Sequence, residues 1–210
     1  MITLALEFSS EQRSVALARG GQVLAEAAET GGRGTNAFAL IEKVLAAASL
    51  LREDIEVIAV GLGPGSYTGI RAAIAVAQGW QLARGVKLLG ISSVAMIAAQ
   101  APAAKCFGRV NVVVDAQRGE FYLATWEISE TRWTEAMPLK IVAAAEITSR
   151  QNAGEICVGP EMAKKIFPSA AMIAQTAAQE TDFISGEKLE PIYLRETTFI
   201  KAPPTRLPTA

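Results

Sequence analysis

The chain has 210 residues, half of them apolar, which is enough to bury one substantial core or two small ones. Its 20 basic and 21 acidic side chains nearly cancel, which argues against a protein that holds nucleic acid by its net charge alone. The sequence has no histidine, so the commonest general base and metal ligand are missing. The two isolated cysteines form no zinc-site spacing, and no apolar run is long enough to span a membrane. We therefore expect a cytoplasmic protein with reduced thiols.

The first half of the chain predicts the element order βββαβαβα. Short alternating segments separated by tight turns predict an antiparallel meander of three strands, and longer segments with helical spacing follow. Thr35 or Asn36 is a suitable cap for the first helix, and Ser92 or Ser93 for the third. The predicted segments are strands at 2–8, 13–19, 22–29, 56–62 and 86–92, and helices at 35–51, 67–84 and from 92 or 93 to 102.

The same order begins again in the second half. Strands are predicted at 109–117, 119–128 and 132–139, a helix at 143–151, and a strand, Gly-Pro and helix over 155–167. A repeated order of elements indicates an internal duplication, here with a shorter and degenerate second copy. We predict an α/β protein with lobes at 1–102 and 103–195 and a proline-rich, mobile tail at 196–210. The acids that end the first strand of each lobe, Glu7 and Asp115, would line the cleft between them.

A glycine-rich turn, "GLGPGS" at 61–66, precedes the second helix. It matches neither the phosphate-binding P-loop nor the dinucleotide fingerprint, and without histidine it cannot be a serine nucleophile elbow. The glycines suit a sharp turn from strand to helix, and the amides of the helix N-terminus can attract an anion. The candidate anion or nucleotide turn consists of Gly63, Gly65, Ser66 and Thr68.

Four segments resemble one known family. They are "GLGPGSYTGIRAAIAVAQGWQLARGVKLLGISSV" (61–94), "LALEFSS" (4–10), "VDAQRGEFYLA" (114–124) and "PIYLRE" (191–196). Together they are similar to the TsaB family, the bacterial subunit of the machinery that makes threonylcarbamoyladenosine in tRNA. The resemblance implies the duplicated, RNase H-like fold of the actin, Hsp70 and acetate kinase superfamily.

The resemblance also implies a subunit without catalytic residues. TsaD, the catalytic paralogue, holds its metal with two histidines and an aspartate, and this chain has no histidine with which to form that site. The chain is therefore expected to bind and support TsaD together with the ATPase TsaE, and to meet tRNA only indirectly. We expect no metal and no tightly bound cofactor, with ATP or ADP bound only within the complex.

Two enzymatic roles are alternatives to the subunit role. A small ATP-dependent kinase of the same superfamily would use Glu7 and Asp115 to hold Mg²⁺ and orient a substrate hydroxyl. A zinc metallopeptidase would need the two cysteines and carboxylates in place of histidine, and the cysteines are far apart in sequence, so it is rejected. The kinase remains the alternative.

The second helix predicts a surface for a partner. Wound at 100° per residue, it places Ala72, Val76, Gly79, Trp80 and Ala83 on one side, which we expect to face the sheet. The opposite side, together with the first helix, is expected to bind TsaD, or a second copy of the chain when TsaD is missing. The predicted partner-binding residues are Leu40, Val44, Ile70, Ile74, Ala77 and Gln81.

Overall fold

Two β-sheets, each with its own helices, form the two lobes of the protein. The computed structural model describes residues 1–31 and 36–195, so the predicted tail at 196–210 and the candidate cap Thr35 lie outside the described residues. Within the described residues, the first sheet has the strand order β3-β2-β1-β4-β5 and the second the order β8-β7-β6-β9. The first-lobe strands are β1 (Ile2–Glu7), β2 (Gln12–Arg19), β3 (Gln22–Thr30), β4 (Val57–Gly61) and β5 (Lys87–Ile91).

The helices of the first lobe begin at the caps that the sequence offers. Asn36 accepts a hydrogen bond from the amide of Ala39, Ser66 from that of Gly69, and Ser92 from that of Ala95. These side chains satisfy amides that have no partner within the helix. The three helices are α1 (Ala37–Ala48), α2 (Tyr67–Arg84) and α3 (Ser93–Gln100).

The second lobe repeats the topology of the first. Its elements are β6 (Gly108–Gln117), β7 (Glu120–Ile128), β8 (Trp133–Ala143), α4 (Ala144–Asn152) and β9 (Ile156–Val158). In each sheet the first strand pairs antiparallel with the second and parallel with the fourth. The predicted duplication is confirmed, and so is the degeneracy, because the described second lobe has no counterpart of β5 in its sheet.

One predicted helix of the second lobe is wrong. After β9 the chain turns at Gly159-Pro160, but residues 161–167 form turns and extended backbone instead of a helix. A Cβ at Gly159 would overlap the carbonyl oxygen of Val113 in β6, and in the first lobe one at Gly65 would overlap that of Ser9, so backbone approaches a glycine closely in both turns. Close approach of the backbone is therefore the shared requirement, and a following helix is not.

The two lobes do not follow the predicted boundaries. The last helix, α5 (Ala170–Ala177), lies after the second lobe in sequence but packs against the first sheet, opposite α1 and α2. In addition, α3 supplies Met96 to the core beneath the first sheet and Ile97 to the core of the second lobe. The helix α5, which lies within the predicted second lobe, therefore belongs to the first lobe, and α3 contributes side chains to both cores.

Candidate functional site

A cavity of about 440 Å³ lies between the lobes, where β1 and β6 end. We call it the interlobe cavity, and its lining comes from the turn after β1, the start of α2, the end of β6 and the turn after β9. The lining residues are Ser9, Ser10, Glu11, Arg13, Gly31, Gly65, Ser66, Tyr67, Val114, Asp115, Ala116, Gln117, Pro160 and Glu161.

Glu7 does not line this cavity, so its prediction as a cleft acid is wrong. Its side chain is fully buried, where Oε1 accepts a hydrogen bond from the amide of Ser9 (2.7 Å) and Oε2 one from the hydroxyl of Ser93 (2.7 Å). Burial raises the pKa of Glu7, and the hydrogen bonds only partly oppose this rise. The carboxyl group therefore joins β1 to α3 inside the protein.

Asp115 does line the cavity, as predicted, and a second acid lies beside it. Asp115 accepts hydrogen bonds from the amide (2.7 Å) and side chain (2.6 Å) of Gln117. Glu161 accepts one from the amide of Asp115 (3.3 Å). The pKa of Glu161 is raised, mainly by burial and further by the negative charges of Asp115 and Glu11. This wall of the cavity is acidic.

Arg13 is a lining residue that the sequence analysis missed. It lies at the cavity end of β2 and is only 9% exposed, and its Nε and Nη1 are buried with no hydrogen-bond partner among the described residues. A signal for it exists in the sequence, since Arg13 alternates in phase with the buried Val15 and Leu17. A charged residue in an inward-facing phase is uncommon and marks the position.

Only part of the predicted glycine turn reaches the cavity. Gly65 and Ser66 line it, whereas Gly63 and Thr68 are not among its lining residues. The amide of Gly63 instead donates to the hydroxyl of Ser93 (3.0 Å). The second half of the turn, with the N-terminus of α2, therefore lies at the cavity, and the first half is hydrogen-bonded inside the protein.

The segment 191–195 connects both lobes near the cavity. The amide of Ile192 donates to the carbonyl of Leu62 (2.9 Å), and the ring of Tyr193 stacks on Tyr67 with centroids 5.6 Å apart. Arg195 then donates to the carbonyl of Ala116 (3.2 Å) and forms an ion pair with Glu120. The segment therefore contacts the first lobe and β6–β7 within a few residues.

A second candidate region is a groove of about 390 Å³ on the outer side of α2, beside α1. We call it the helix groove. Its floor consists of small side chains, and Phe38, which is 57% exposed, stands beside it. The lining residues are Phe38, Arg52, Glu53, Ala75, Val76, Gly79, Trp80, Ala83 and Arg84.

The predicted orientation of the two helices is wrong. Leu40, Val44, Ile70, Ile74 and Ala77 are all buried, and they pack against the first sheet in the core of their own lobe. Of the residues predicted to face the sheet, Gly79 and Ala83 line the helix groove, and Val76 and Trp80 line it while also packing against the edge of the core. The physical reason is volume: a close-packed core beneath a helix needs large side chains, and alanine and glycine there would leave cavities.

Gln81 uses its side chain within the chain. Its Oε1 accepts from the amide of Gly186 (2.7 Å), and its Nε2 donates to the carbonyl of Val86 (3.4 Å). The neighbouring Gln78 donates to the carbonyl of Gly186 (2.8 Å). These two glutamines hold the segment around 186 against α2, a contact that the sequence analysis did not anticipate.

Across residues 1–31 and 36–195, no group of three or more Cys, Asp or Glu side chains has an arrangement that could hold a metal ion. No helix in the same ranges is long and apolar enough to cross a membrane. The absence of a metal site, the lack of cofactor and the cytoplasmic location remain predictions.

Comparisons with known proteins point to one family. The model of the family TsaD, tRNA N6-adenosine threonylcarbamoyltransferase, matches residues 11–198. The tRNA threonylcarbamoyladenosine biosynthesis protein TsaB of Escherichia coli is 28% identical, over 97% of this chain and 99% of that protein. The protein of the same name from Haemophilus influenzae is also 28% identical, over 95% and 96%.

Solved structures agree on the fold. YeaZ from Pseudomonas aeruginosa superposes with a TM-score of 0.76 at 23% identity, covering 92% of this chain and 99% of that chain. A second Pseudomonas aeruginosa structure, described as similar to peptidase YeaZ, has a TM-score of 0.78 at 23% identity, with the same coverage. The duplicated two-lobed fold predicted from the sequence is confirmed.

Proposed function

Because the chain belongs to the tRNA N6-adenosine threonylcarbamoyltransferase family, and within it to the TsaB proteins, we propose that it serves threonylcarbamoyladenosine biosynthesis as a non-catalytic subunit. Its role is to bind and support TsaD, the catalytic paralogue, together with TsaE. It meets tRNA only through that complex, and ATP or ADP is bound only there.

The observation that carries the proposal is the helix groove. Ala75, Gly79 and Ala83 repeat every fourth residue along α2, so they form a shallow floor on one side of the helix. Small side chains allow another helix to approach closely, and the exposed ring of Phe38 and the half-buried ring of Trp80 provide apolar walls. The groove therefore suits an apolar helix of a partner.

The charges near the groove are already paired within the chain. Arg52 binds Glu42, and Arg84 binds Glu53 with 3.2 Å between Nη1 and Oε1. Exposed ion pairs of this kind contribute little to stability, but they leave the rim without an uncompensated charge. A largely neutral, apolar partner surface fits such a groove, and in the absence of TsaD a second copy of this chain offers the same surface through a two-fold axis.

The interior supports a non-catalytic role over the kinase alternative. That alternative needs Glu7 and Asp115 together in the cleft, and Glu7 is fully buried in hydrogen bonds to Ser9 and Ser93. The chain also lacks histidine, the commonest general base. Of the two acids that the kinase alternative requires, only Asp115 therefore reaches the cleft.

The test is Ala75→Glu, which places a charge in the helix groove on an exposed helical position. An unpaired charge buried at an interface costs about 3–5 kcal/mol, so we expect affinity for purified TsaD to fall about 100-fold or more. Self-association measured by light scattering should fall as well. Binding should be measured by calorimetry on folded protein, with circular dichroism showing an unchanged spectrum.

The matched control is Ala47→Glu, the same change on an exposed position of α1. Ala47 is nine residues after Phe38 and therefore lies about 180° around the helix from the groove. This variant should bind TsaD as the wild type does. If Ala75→Glu binds TsaD with wild-type affinity, the helix groove is not the interface and the proposal is wrong on this point.

A further inference from the structure

The last part of the chain that the structure describes, residues 182–195, runs from beyond α5 to the second lobe, and we call it the strap. It first follows β5, the edge strand of the first sheet, where the amide of Ile184 donates to the carbonyl of Leu88 (3.0 Å). The ammonium group of Lys87 lies 4.7 Å from the centroid of the Phe183 ring. The strap therefore covers part of a sheet edge that no neighbouring strand among the described residues pairs with.

The first half of the strap is anchored inside the first lobe. Gly186 is buried, and two glutamines of α2 bind its backbone: Gln81 accepts from its amide (2.7 Å) and Gln78 donates to its carbonyl (2.8 Å). Leu189 is 2% exposed and belongs to the core beneath α1 and α2. Releasing this half would expose apolar surface and leave buried backbone groups without partners, and both are costly.

The end of the strap is held by more exposed contacts. The ring of Tyr193, which is 41% exposed, stacks on the ring of Tyr67. Arg195 forms an ion pair with Glu120, and these two side chains are 33% and 43% exposed. Partly solvated contacts of these kinds contribute little to stability, so the end of the strap can separate while its first half stays in place.

These two contacts lie on opposite walls of the interlobe cavity. Tyr67 lines the cavity from the first lobe, and Ala116, whose carbonyl accepts a hydrogen bond from Arg195 (3.2 Å), lines it from the second. Tyr193 and Arg195 are two residues apart in the chain, a span of at most about 7 Å between their Cα atoms. While both contacts hold, the two walls cannot move far apart at this point.

The lobes are also joined through α3, away from the cavity. Met96 packs beneath the first sheet and Ile97 in the core of the second lobe. At the end of the helix, the side chain of Gln100 donates to the carbonyl of Phe167 (2.9 Å), in the segment that leads back to α5. None of these four residues lines the interlobe cavity. The end of the strap therefore acts directly across the cavity, whereas α3 joins the lobes behind it.

We propose that the end of the strap is a latch that fastens the second lobe to α2 and so sets the separation of the walls of the interlobe cavity. The latch closes through Tyr193 on the first lobe and Arg195 on the second. When it opens, the contacts of Arg195 break while the strap up to Leu189 stays on the first lobe. The proposal does not depend on the partner surface, because no strap residue lines the helix groove.

The first experiment is limited proteolysis of the intact chain with chymotrypsin, which cleaves after Tyr193 and Leu194 once the end of the strap is released. Glu120→Gln removes the charge that holds Arg195 and leaves the sequence at the cleavage sites unchanged. We expect cleavage about twofold to fivefold faster, because cleavage follows the population of the open form and an exposed ion pair is worth about this much. Glu127→Gln, the same change at an exposed position of the same strand, is the matched control and should be cleaved as the wild type is.

The second experiment measures the distance between the lobes by pulsed electron paramagnetic resonance. Spin labels are placed on cysteines introduced at Lys43 in α1 and Ser149 in α4, which are both exposed. Cys157 is replaced by serine, and Cys106 is kept because it is fully buried. The labelled protein with an intact latch should give a narrow distribution of distances, and Arg195→Ala should broaden it.

Two further variants separate the latch from a general loss of structure. Tyr193→Ala should broaden the distribution as Arg195→Ala does, and the double variant should broaden it no further, because one latch opens when either contact is lost. Arg132→Ala, in the exposed turn between β7 and β8, is the matched control for the loss of an arginine and should keep the narrow distribution. Circular dichroism should show that each variant is folded.

The proposal is overturned if folded Arg195→Ala keeps the narrow distribution, or if the distribution is already broad with the latch intact, since the strap then does not restrain the lobes. It is also overturned if Glu120→Gln and Glu127→Gln are cleaved at equal rates. Should Arg195→Ala fail to fold, Glu120→Gln takes its place in the distance measurement, and an unchanged distribution there contradicts the latch.

Discussion

Glu7 is a carboxyl group enclosed by backbone and hydroxyl groups at the end of β1. The absence of a side chain at Gly61 makes room for it, because a Cβ there would overlap its carboxylate. Ser93, which donates to Glu7, also accepts from the amide of Gly63, so one hydrogen-bonded chain links β1, the glycine turn and α3. The position therefore serves the junction of three elements rather than chemistry in the cleft.

The raised pKa of Glu7 makes stability depend on pH. The folded protein holds the proton more tightly than the unfolded chain, so this contribution is fully present below the unfolded value near 4.5 and is lost as pH rises through the folded pKa. Within that window the free energy of unfolding should fall by at most about 1.4 kcal/mol per pH unit. Glu7→Gln should remove this slope, which urea unfolding at a series of pH values will measure.

The control for this prediction is Glu26→Gln, on an exposed position of β3. Its pH profile should parallel that of wild type, so that the difference between wild type and Glu7→Gln isolates the buried group from all other titrations. A Glu7→Gln profile parallel to wild type would show that Glu7 is as well solvated in the fold as in the unfolded chain.

At the scale of the element, α2 contains two glycines with opposite roles. A Cβ at Gly69 would overlap the carbonyl oxygen of Phe8, whereas one at Gly79 would meet no atom within 4 Å. The first glycine allows the helix to begin against the end of β1. Gly79 lowers the stability of the helix in the free chain, and it has no packing role there. In the helix groove, its small size would allow a partner helix to approach closely.

We therefore expect opposite results from the same substitution in one helix. Gly69→Ala should lower the free energy of unfolding, because backbone must move, while Gly79→Ala should raise it by about 0.5–1 kcal/mol. Urea unfolding at low protein concentration, where light scattering shows a monomer, measures both. Destabilisation by Gly79→Ala under these conditions would mean that α2 is not a regular exposed helix at that point.

On the scale of the whole molecule, the packing does not follow the order of the chain. Ile173 of α5 is fully buried against the first sheet, while Ile147 of α4 is buried in the second lobe. Both isoleucines lie within the predicted second lobe, 103–195, yet Ile173 packs against the first sheet and Ile147 against the second. Because the two isoleucines are equivalent in chemistry, they provide a matched pair for testing which lobe each helix supports.

Ile173→Ala and Ile147→Ala should each cost about 2–5 kcal/mol. Amide hydrogen exchange should distinguish them: Ile173→Ala should reduce protection chiefly in β1, β2 and β4, and Ile147→Ala chiefly in β6, β7 and β8. Loss of protection confined to the second lobe in Ile173→Ala would contradict the return of α5 to the first sheet.

Much of the fold could be predicted because its signals are local. The caps at Asn36 and Ser92, each one of two predicted candidates, and the helix at 67–84 depend on neighbouring residues, and the structure has all three. The duplication followed from the order of elements. The helix predicted after Gly159 failed, because the same strand and Gly-Pro pattern can end in a turn when no long apolar stripe follows it.

The candidate site was harder to predict from the sequence than the fold, because the site depends on which side of each helix or strand faces the interior. Periodicity separates the faces of α2 but does not say which face packs on the sheet. The face with Ile70 and Ile74 packs there, because large side chains are needed to fill the space between helix and sheet. Glu7 and Asp115 both end first strands, yet one is sealed by Ser93 from α3 and the other is open to the cavity.

The sequence by itself determined the family, the repeated order of elements, the helix ends and the absence of histidine chemistry, since each is a property of local pattern or composition. Only the tertiary structure decided that Arg13 and the start of α2 share a cavity with Asp115, that α5 belongs to the first sheet, and that small residues of α2 form an outer groove. These facts depend on contacts between residues far apart in the chain, and such contacts are fixed by packing volume and burial of charge, which no single segment contains.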